Sequence, residues 1–543
     1  MLSASLVLLV SVPLFTFYVL YRRGRGSLKH LRGPPVPSWL FGNQRQLRFQ
    51  ADVGDLEFEW VREYGEVMRT GGCWGIDQLL VADPRALQYI LQGGGYHYPK
   101  RAEMNESTRH LMGRGLVWAS GSVHQRQRRI LNPVFTAQQL RTFLPQFQQC
   151  ASRLTQKWKE QIENGNTTLN VSRWLPRLTL DAIGDAAFDY HFGALDDPDG
   201  KNELLECLDN LFADSTLYPS KFDMLFRALW DHIPESVLKC FEYLPNKEIH
   251  RFRSFKVLAK RVAAQLVREK TTSALASEAT SRDVMSVLVR SNTAQEGKRM
   301  LDEDEVLSQM ATLLLGGHET IASTLGWLLY ELAKHPEQQQ TIREEIKALR
   351  MKVGSDAEFS VAELDSLPFT NAAIKESLRL HPISPTINRI ADRDDVIPLS
   401  TPIVGTNGDQ ISEVAIAKGQ EIMVSICSYN RLTSVWGADA HEWNPKRFLE
   451  DRDEKSSAQA KNTSVGVFSN LLTFAAGVRG CIGWRFAMIE MQAVLVELMD
   501  NFELRIPEGG LDIQRLPAGM MIPMIRGKMH EGVQMPLQIS IVE

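Results

Sequence analysis

Phe474-Ala475-Ala476-Gly477-Val478-Arg479-Gly480-Cys481-Ile482-Gly483 is the stretch on which the reading of this 543-residue chain turns. It places one cysteine in a glycine-rich turn, and the pattern from Trp484 to Met491 that follows is helical. A sulfur at a helix N-terminus has backbone N–H groups and the helix dipole directed at it, which favour the thiolate and prepare it as a metal ligand. The glycines allow close backbone approach to a flat cofactor, and Arg479 can meet an acidic group on it. The bland alternative is a small buried thiol of the core. The density of the pattern around Cys481 weighs against it.

Upstream, periodicity predicts one long helix from about Asp302 to Lys334. Asp302, Glu303, Asp304 and Glu305 crowd its start, where the dipole favours acids, and His335-Pro336 stops it. At ~1.5 Å per residue it runs close to 50 Å. Its middle, Met310 to Trp327, is apolar and hence buried, except at Gly316-Gly317-His318-Glu319-Thr320. Interior glycines cost about 1 kcal/mol each relative to alanine. With a back-bonding threonine they loosen a helix, freeing a carbonyl or admitting water, which suits a small molecule lying against it. The alternative is a packing notch beside a surface glutamate. A zinc-protease reading fails because no second histidine follows His318-Glu319 at the required spacing. Nucleophile-elbow, P-loop and dinucleotide-binding motifs are absent.

A net charge of -4 gives no whole-chain reason to expect nucleic acid. Six scattered cysteines (Cys73, Cys150, Cys207, Cys240, Cys427 and Cys481) argue for a reducing compartment, the first five as inert buried thiols. Leu2 to Leu20 carry no charge and are long enough as a helix to span a bilayer. Positive charge (Arg22, Arg23, Arg25) follows the run rather than preceding it. That order predicts an uncleaved single-pass anchor with the remainder cytosolic. Residues 1–32 thus read as anchor and basic flank, 33–543 as one body, and 33–43 as a stiff proline-rich hinge. Sequons at Asn105, Asn166, Asn170 and Asn462 are chance matches in such a body. Strand-like pieces at Val67–Thr70, Gln78–Val81, Val396–Leu399, Glu421–Ile426 and Leu537–Val542 frame long helical stretches. The fold class is mainly α with a minor β-sheet region (α+β).

The pattern F-x-x-G-x-R-x-C-x-G resembles the haem-binding signature of the cytochrome P450 superfamily at every fixed position. Further motifs occur in that family's order: Gly316–Thr320 in the long helix, Glu376-Ser377-Leu378-Arg379 as E-x-x-R, and Pro445-Lys446-Arg447-Phe448 as P-x-R-F. In place of W-x-x-x-R the chain has His124 and Arg128. Ile321 and Thr473 stand where many members have a hydroxyl residue and a proline. The phrases at 33–43 and 128–135 look most like fungal members.

The resemblance implies a P450 fold behind a membrane anchor in the endoplasmic reticulum, with haem b held by the Cys481 thiolate. It also implies Phe474, Gly477 and Gly483 in the haem-binding loop, and His124, Arg128, Arg389 and Arg479 at the propionates. Thr320 and Glu319 are implied as the oxygen-side proton-delivery pair, and Glu376, Arg379 and Arg447 as a structural network. The activity implied is a monooxygenase using O2 and electrons from NADPH through NADPH-cytochrome P450 reductase. Arg126, Arg128, Arg129 and Arg485 would frame the reductase face. The pocket implied is drawn from 105–120, Leu313–Gly317, Ser384–Ile387 and Gly519–Met521, with Met520, Met521 and Met524 a pliable patch. Such a lining suits a hydrophobic substrate, a terpenoid or other secondary metabolite first, a fatty acid or aromatic xenobiotic next. Two readings from other classes stay open at this point: a haem-thiolate isomerase or dehydratase, and a non-catalytic haem sensor.

Overall fold

The computed structural model describes residues 28–197, 202–244, 246–275, 283–286, 288, 301–354, 357–449 and 464–542. The expected anchor, most of its basic flank and the Asn462 sequon lie outside them. Among the described residues no helix is long and apolar enough to cross a membrane.

The long helix runs Glu303–Lys334, as its terminal signals require. Asp302 and Glu305 form a reciprocal capping box: Glu305 N–H donates to Asp302 Oδ1 at 2.8 Å and Asp302 N–H to Glu305 Oε2 at 3.0 Å. Helix Val171–Ile183 packs along one side, and helices Lys247–Leu275 and Pro368–Leu380 also lie against it. Helix Trp484–Asn501, buried along nearly its whole length, packs on Leu144–Glu163 and Pro336–Val353. One apolar core joins these helices.

The two helix glycines divide the alternatives between them. A Cβ on Gly317 would lie 2.7 Å from Ile183 Cδ1, so Gly317 is a packing notch. At Gly316 nothing lies within 4 Å, and this residue is exposed in the middle of a buried helix. The helix is continuous through both.

Among the described residues the minor β structure comprises four small sheets. Strands Val67–Gly71, Asp77–Val81, Glu421–Ser425 and Thr386–Ile390 lie in that order, the central pair parallel and the outer pairings antiparallel. Both central strands are buried at every position, in keeping with their apolar runs Leu79–Val81 and Ile422–Val424. A second core lies between this sheet and the ribbon Asp395–Val404/Gln410–Ile416. Ile513–Ala518 and Met520–Ile525 form a hairpin around Gly519 (φ +74°). Pro536–Ile541 pairs with both Thr168–Asn170 and Phe502–Arg505. The five expected strands are present, shifted at their ends by a residue or more.

The proline-rich segment expected as a stiff hinge is hydrogen-bonded to the body. Arg69 N–H donates to Arg32 O, and Asn43 exchanges bonds with Gly71: its N–H donates to Gly71 O and its Oδ1 accepts from Gly71 N–H, each at 2.8 Å. Gly33 lies so close to Arg69 that a Cβ would meet its carbonyl oxygen. Leu28 and Leu31 are wholly buried, so the folded body reaches back past residue 33. Edge-strand hydrogen bonding outweighs the stiffness that prolines give an isolated spacer. The cysteine reading also needs correction: Cys73, Cys150 and Cys427 are buried, but Cys207 is half-buried and Cys240 exposed.

Glu376, Arg379 and Arg447 come together where helix Pro368–Leu380 meets the chain at 430–447. Glu376 and Arg379 are fully buried, with Arg379 Nε and Nη2 on the carboxylate at 2.8 and 2.7 Å. Its remaining donors go to the carbonyls of Asn430, Ala440 and Glu442 at 2.6–2.9 Å, so all five guanidinium N–H groups are used. Arg447 Nε reaches Glu376 Oε1 at 3.4 Å and pairs more closely with Asp439.

Two outcomes follow for denaturant unfolding. Glu376→Ala is expected to lose about 3–5 kcal/mol, because it leaves Arg379 buried without a counter-charge. Gly316→Ala is expected to gain up to about 1 kcal/mol, whereas Gly317→Ala should lose about 1–3 kcal/mol through overpacking and be rescued by Ile183→Val. Equal effects at the two glycines would contradict the division described above.

Candidate functional site

The Cys481 loop is fixed by its own backbone and by two outside contacts. Cys481 N–H donates to Phe474 O at 2.8 Å and Gly480 N–H to Gly477 O at 3.0 Å. Phe474 is buried, its ring edge-on to Phe468. Gly477 has φ +63°, and a Cβ there would fall 1.8 Å from Leu91 O. Its glycine is thus demanded by approach to the chain at 89–93. Gly483 lies at the start of helix Trp484–Asn501 with only Phe135 near its Cβ direction, at an ordinary 3.7 Å.

The Cys481 side chain is accessible although protein encloses it, so it lines interior space. Burial pushes its thiol above the ordinary value, against the Gly483 N–H and Arg128, which favour the anion. The helix-terminus argument has the right sign, but desolvation is the larger effect for the free thiol. A coordinated metal reverses that balance outright.

Beside this loop lies a group of basic residues with no carboxylate partner among the described residues. Arg128 Nη1 donates to Gly480 O at 2.6 Å, bracing the cysteine loop. Arg479 Nη1 donates to Ala119 O at 3.0 Å, while its Nε is buried with no partner. Arg389, on strand Thr386–Ile390, bonds only the neighbouring carbonyl of Asn388, and burial followed by Arg479 lowers it to about 9. Lys100, which the sequence reading missed, donates to Val117 O and to Trp118 O (3.0 Å); burial, then Arg479 and Arg389, holds it far below an ordinary lysine. His124 is buried against Tyr96, whose hydroxyl is 2.9 Å from Nδ1, and burial followed by Arg479 and Arg128 lowers it to about 4. At neutral pH the imidazole is uncharged. Unpaired buried cations are costly, and the acid groups of a haem are the chemistry that would offset them.

On the long helix, Thr320 Oγ1 donates to Gly316 O at 2.7 Å, so the hydroxyl occupies the carbonyl that the glycines were expected to free. Glu319 is about one-quarter exposed yet deeply enclosed, and burial raises its carboxyl to about 7. Beside it His318 is buried and lowered to about 4 by desolvation. The Glu319 carboxyl is therefore poised between its two protonation states near neutrality.

Helix Gly121–Leu131 connects the two halves. Arg128 reaches the cysteine loop, while Gln127 and Arg126 reach Glu305 at the start of the long helix. Arg126 forms a two-pronged pair with Glu305 at 2.5 and 2.8 Å, and Arg485 pairs with Asp365. Of the basic residues read as a docking face, only Arg129 is exposed; the others are held by internal bonds. The methionine patch contracts as well: Met521 and Met524 are buried in packed clusters, leaving Met520 half-buried. Met521 N–H donates to Ile383 O at 2.7 Å, joining that hairpin to the chain just before Ser384. A surface groove of about 880 Å³, lined by Phe58, Arg62, Arg431 and His441 among others, shares no residue with this site.

Comparison with known proteins agrees with this geometry. The family model for cytochrome P450 matches residues 32–529. Cytochrome P450 monooxygenase 128 of Postia placenta is 34% identical over 529 residues, covering 94% of this chain and 92% of that protein. Cytochrome P450 monooxygenase claQ of Ampulloclitocybe clavipes is 31% identical over 527 residues, covering 96% and 94%. The enclosed cysteine loop, the unpaired cations and a match along nearly the whole sequence lead to one conclusion: the chain belongs to the cytochrome P450 family, haem-thiolate oxidoreductases.

Proposed function

We propose that this enzyme inserts one oxygen atom from O2 into a hydrophobic substrate, with electrons from NADPH delivered through a reductase. The observation that carries the reading is that helix Gly121–Leu131 ties the Cys481 loop, through Arg128 on Gly480 O, to the start of the long helix that bears Glu319 and Thr320, through Gln127 on Glu305. Haem, when bound, supplies oxygen activation at a thiolate-ligated iron. Cys481 provides the sulfur. Arg128, Arg389, Arg479 and Lys100 bind and orient the propionates, with neutral His124 as a hydrogen-bond partner. Glu319 holds a proton at its carboxyl near neutral pH, and Thr320 would relay it: Oγ1 turns from Gly316 O toward the pocket, gives up its own proton there and takes the one released by Glu319. The apolar and small residues of Leu313–Gly317 and Ser384–Ile387, with Met520, would line that path.

The apolar run Leu2–Leu20 and the charge that follows it support a single-pass anchor in the endoplasmic reticulum. A membrane-resident enzyme meets lipid-soluble compounds, and a terpenoid or other secondary metabolite is the substrate class we favour. Reconstitution with reductase, NADPH and labelled dioxygen over a panel of such compounds tests the whole reading. Label in the product is expected. Turnover without NADPH or label would instead mark an isomerase or dehydratase.

Thr320→Ala is expected to keep haem and substrate binding but to lower product formed per NADPH consumed. The loss should be roughly tenfold or more, toward the hundredfold that a positioned proton donor typically contributes. An unchanged ratio would remove Thr320 from the path.

The pH dependence follows from Glu319. Its folded-state value of about 7 lies above the ordinary 4.5. Its contribution to stability is therefore complete below about pH 4.5 and is lost as pH rises through about 7. Its capacity to donate falls over the same upper limb. Product per NADPH should decline above neutrality in the unmodified enzyme and be low and flat in Glu319→Gln. A persisting alkaline decline in that variant would assign it to another group.

A further inference from the structure

The chain at 113–119 lies flush on the long helix one turn before Gly316. A Cβ on Gly113 would fall 2.4 Å from Ser308 Oγ, and one on Gly115 would fall 2.0 Å from Thr312 Oγ1. This segment has little regular structure, yet its backbone groups are captured by side chains one after another. Lys100 takes the carbonyls of Val117 and Trp118, and Arg479 takes that of Ala119.

At the other end stand two glutamines with no exposed surface. Gln309, on the long helix, accepts Leu116 N–H at 3.1 Å and donates to Gln127 Oε1 at 3.0 Å. Gln127 donates to Arg114 O at 2.9 Å and to Glu305 Oε1 at 3.1 Å. Every one of these bonds would be lost to a hydrocarbon side chain of the same length. A buried polar pair of this kind fixes one geometry, because sliding the segment by a residue would leave several groups unsatisfied.

We propose that Gln309 and Gln127 are positioning residues that set the place of segment 113–119 over the long helix, and with it the size of the compartment in front of Gly316. The pair would thereby act on substrate selection without touching the reacting atoms. The inference rests on the haem-thiolate reading of the same site. It adds to that reading a determinant of which ligands fit.

The test uses the full haem-loaded chain and the variants Gln309→Met and Gln127→Met. Gln339→Met is the control, since Gln339 is equally buried and bonds Leu332 O and both backbone groups of Leu504 instead. Two quantities are measured: amide hydrogen exchange across 113–119, and the ratio of dissociation constants for imidazole and the bulky clotrimazole, read from the haem absorption shift. Both site variants are expected to speed exchange and change the ratio by about fivefold. Their ferrous carbon-monoxide spectra should keep the thiolate signature. Exchange and ratio unchanged in Gln309→Met would overturn the proposal, as would faster exchange with an unchanged ratio. Equal changes in Gln339→Met would also overturn it. An unmodified chain lacking the thiolate signature would defeat the haem reading instead, while the exchange data would still decide whether the pair holds the segment.

Discussion

Among the described residues charge does not balance at this site, and much of the local architecture is arranged around that imbalance. Lys100, Arg128, Arg389 and Arg479 are brought together at low exposure with only carbonyls to bond. Nearby, burial holds the Cys481 thiol away from ionisation. Surplus positive charge beside a reluctant acid is unfavourable in each part. A single group bearing a metal and carboxylates offsets both at once. The scaffold accepts this cost because the surrounding helices are fixed by interactions that do close, above all the fully satisfied Arg379.

That closed network also absorbs a departure from the family pattern. Thr473 stands where proline is frequent. Its hydroxyl donates to Leu378 O at 2.6 Å and accepts from Asn430 Nδ2 at 2.8 Å. Asn430 in turn accepts Leu472 N–H on its side chain and Arg379 on its carbonyl. A rigid residue has been exchanged for a hydrogen-bonded one, with the entrance to the cysteine loop still tied to the E-x-x-R helix.

The long helix was legible because its signals are local: a capping box, acids in the first turn, a proline just past the end. The central strands were legible because burial on both faces leaves the short apolar runs Leu79–Val81 and Ile422–Val424. The cysteine loop and the Glu376–Arg379 pair carry compact patterns that survive reading one segment at a time. Lys100 carried no such pattern, since its importance comes from Val117, Trp118 and two distant arginines. Strand Thr386–Ile390 was missed for a similar reason: Thr-Ile-Asn-Arg-Ile is ambiguous until Glu421–Ser425 is set beside it. Arg126 looked like a free surface charge because Glu305 lies 179 positions away in sequence. Side chains paired with remote partners leave no local trace.

Those separations also bear on the order in which the molecule is assembled. Arg128 meets Gly480 across 352 positions and Arg479 meets Ala119 across 360. Contacts that close such long stretches carry their entropy cost before any local gain and belong to the late stages of folding. The helices can form from near neighbours, whereas the site between them is completed only when residues 119–128 meet residues 479–480. The site is thus completed by its longest-range contacts rather than by the helices that frame it.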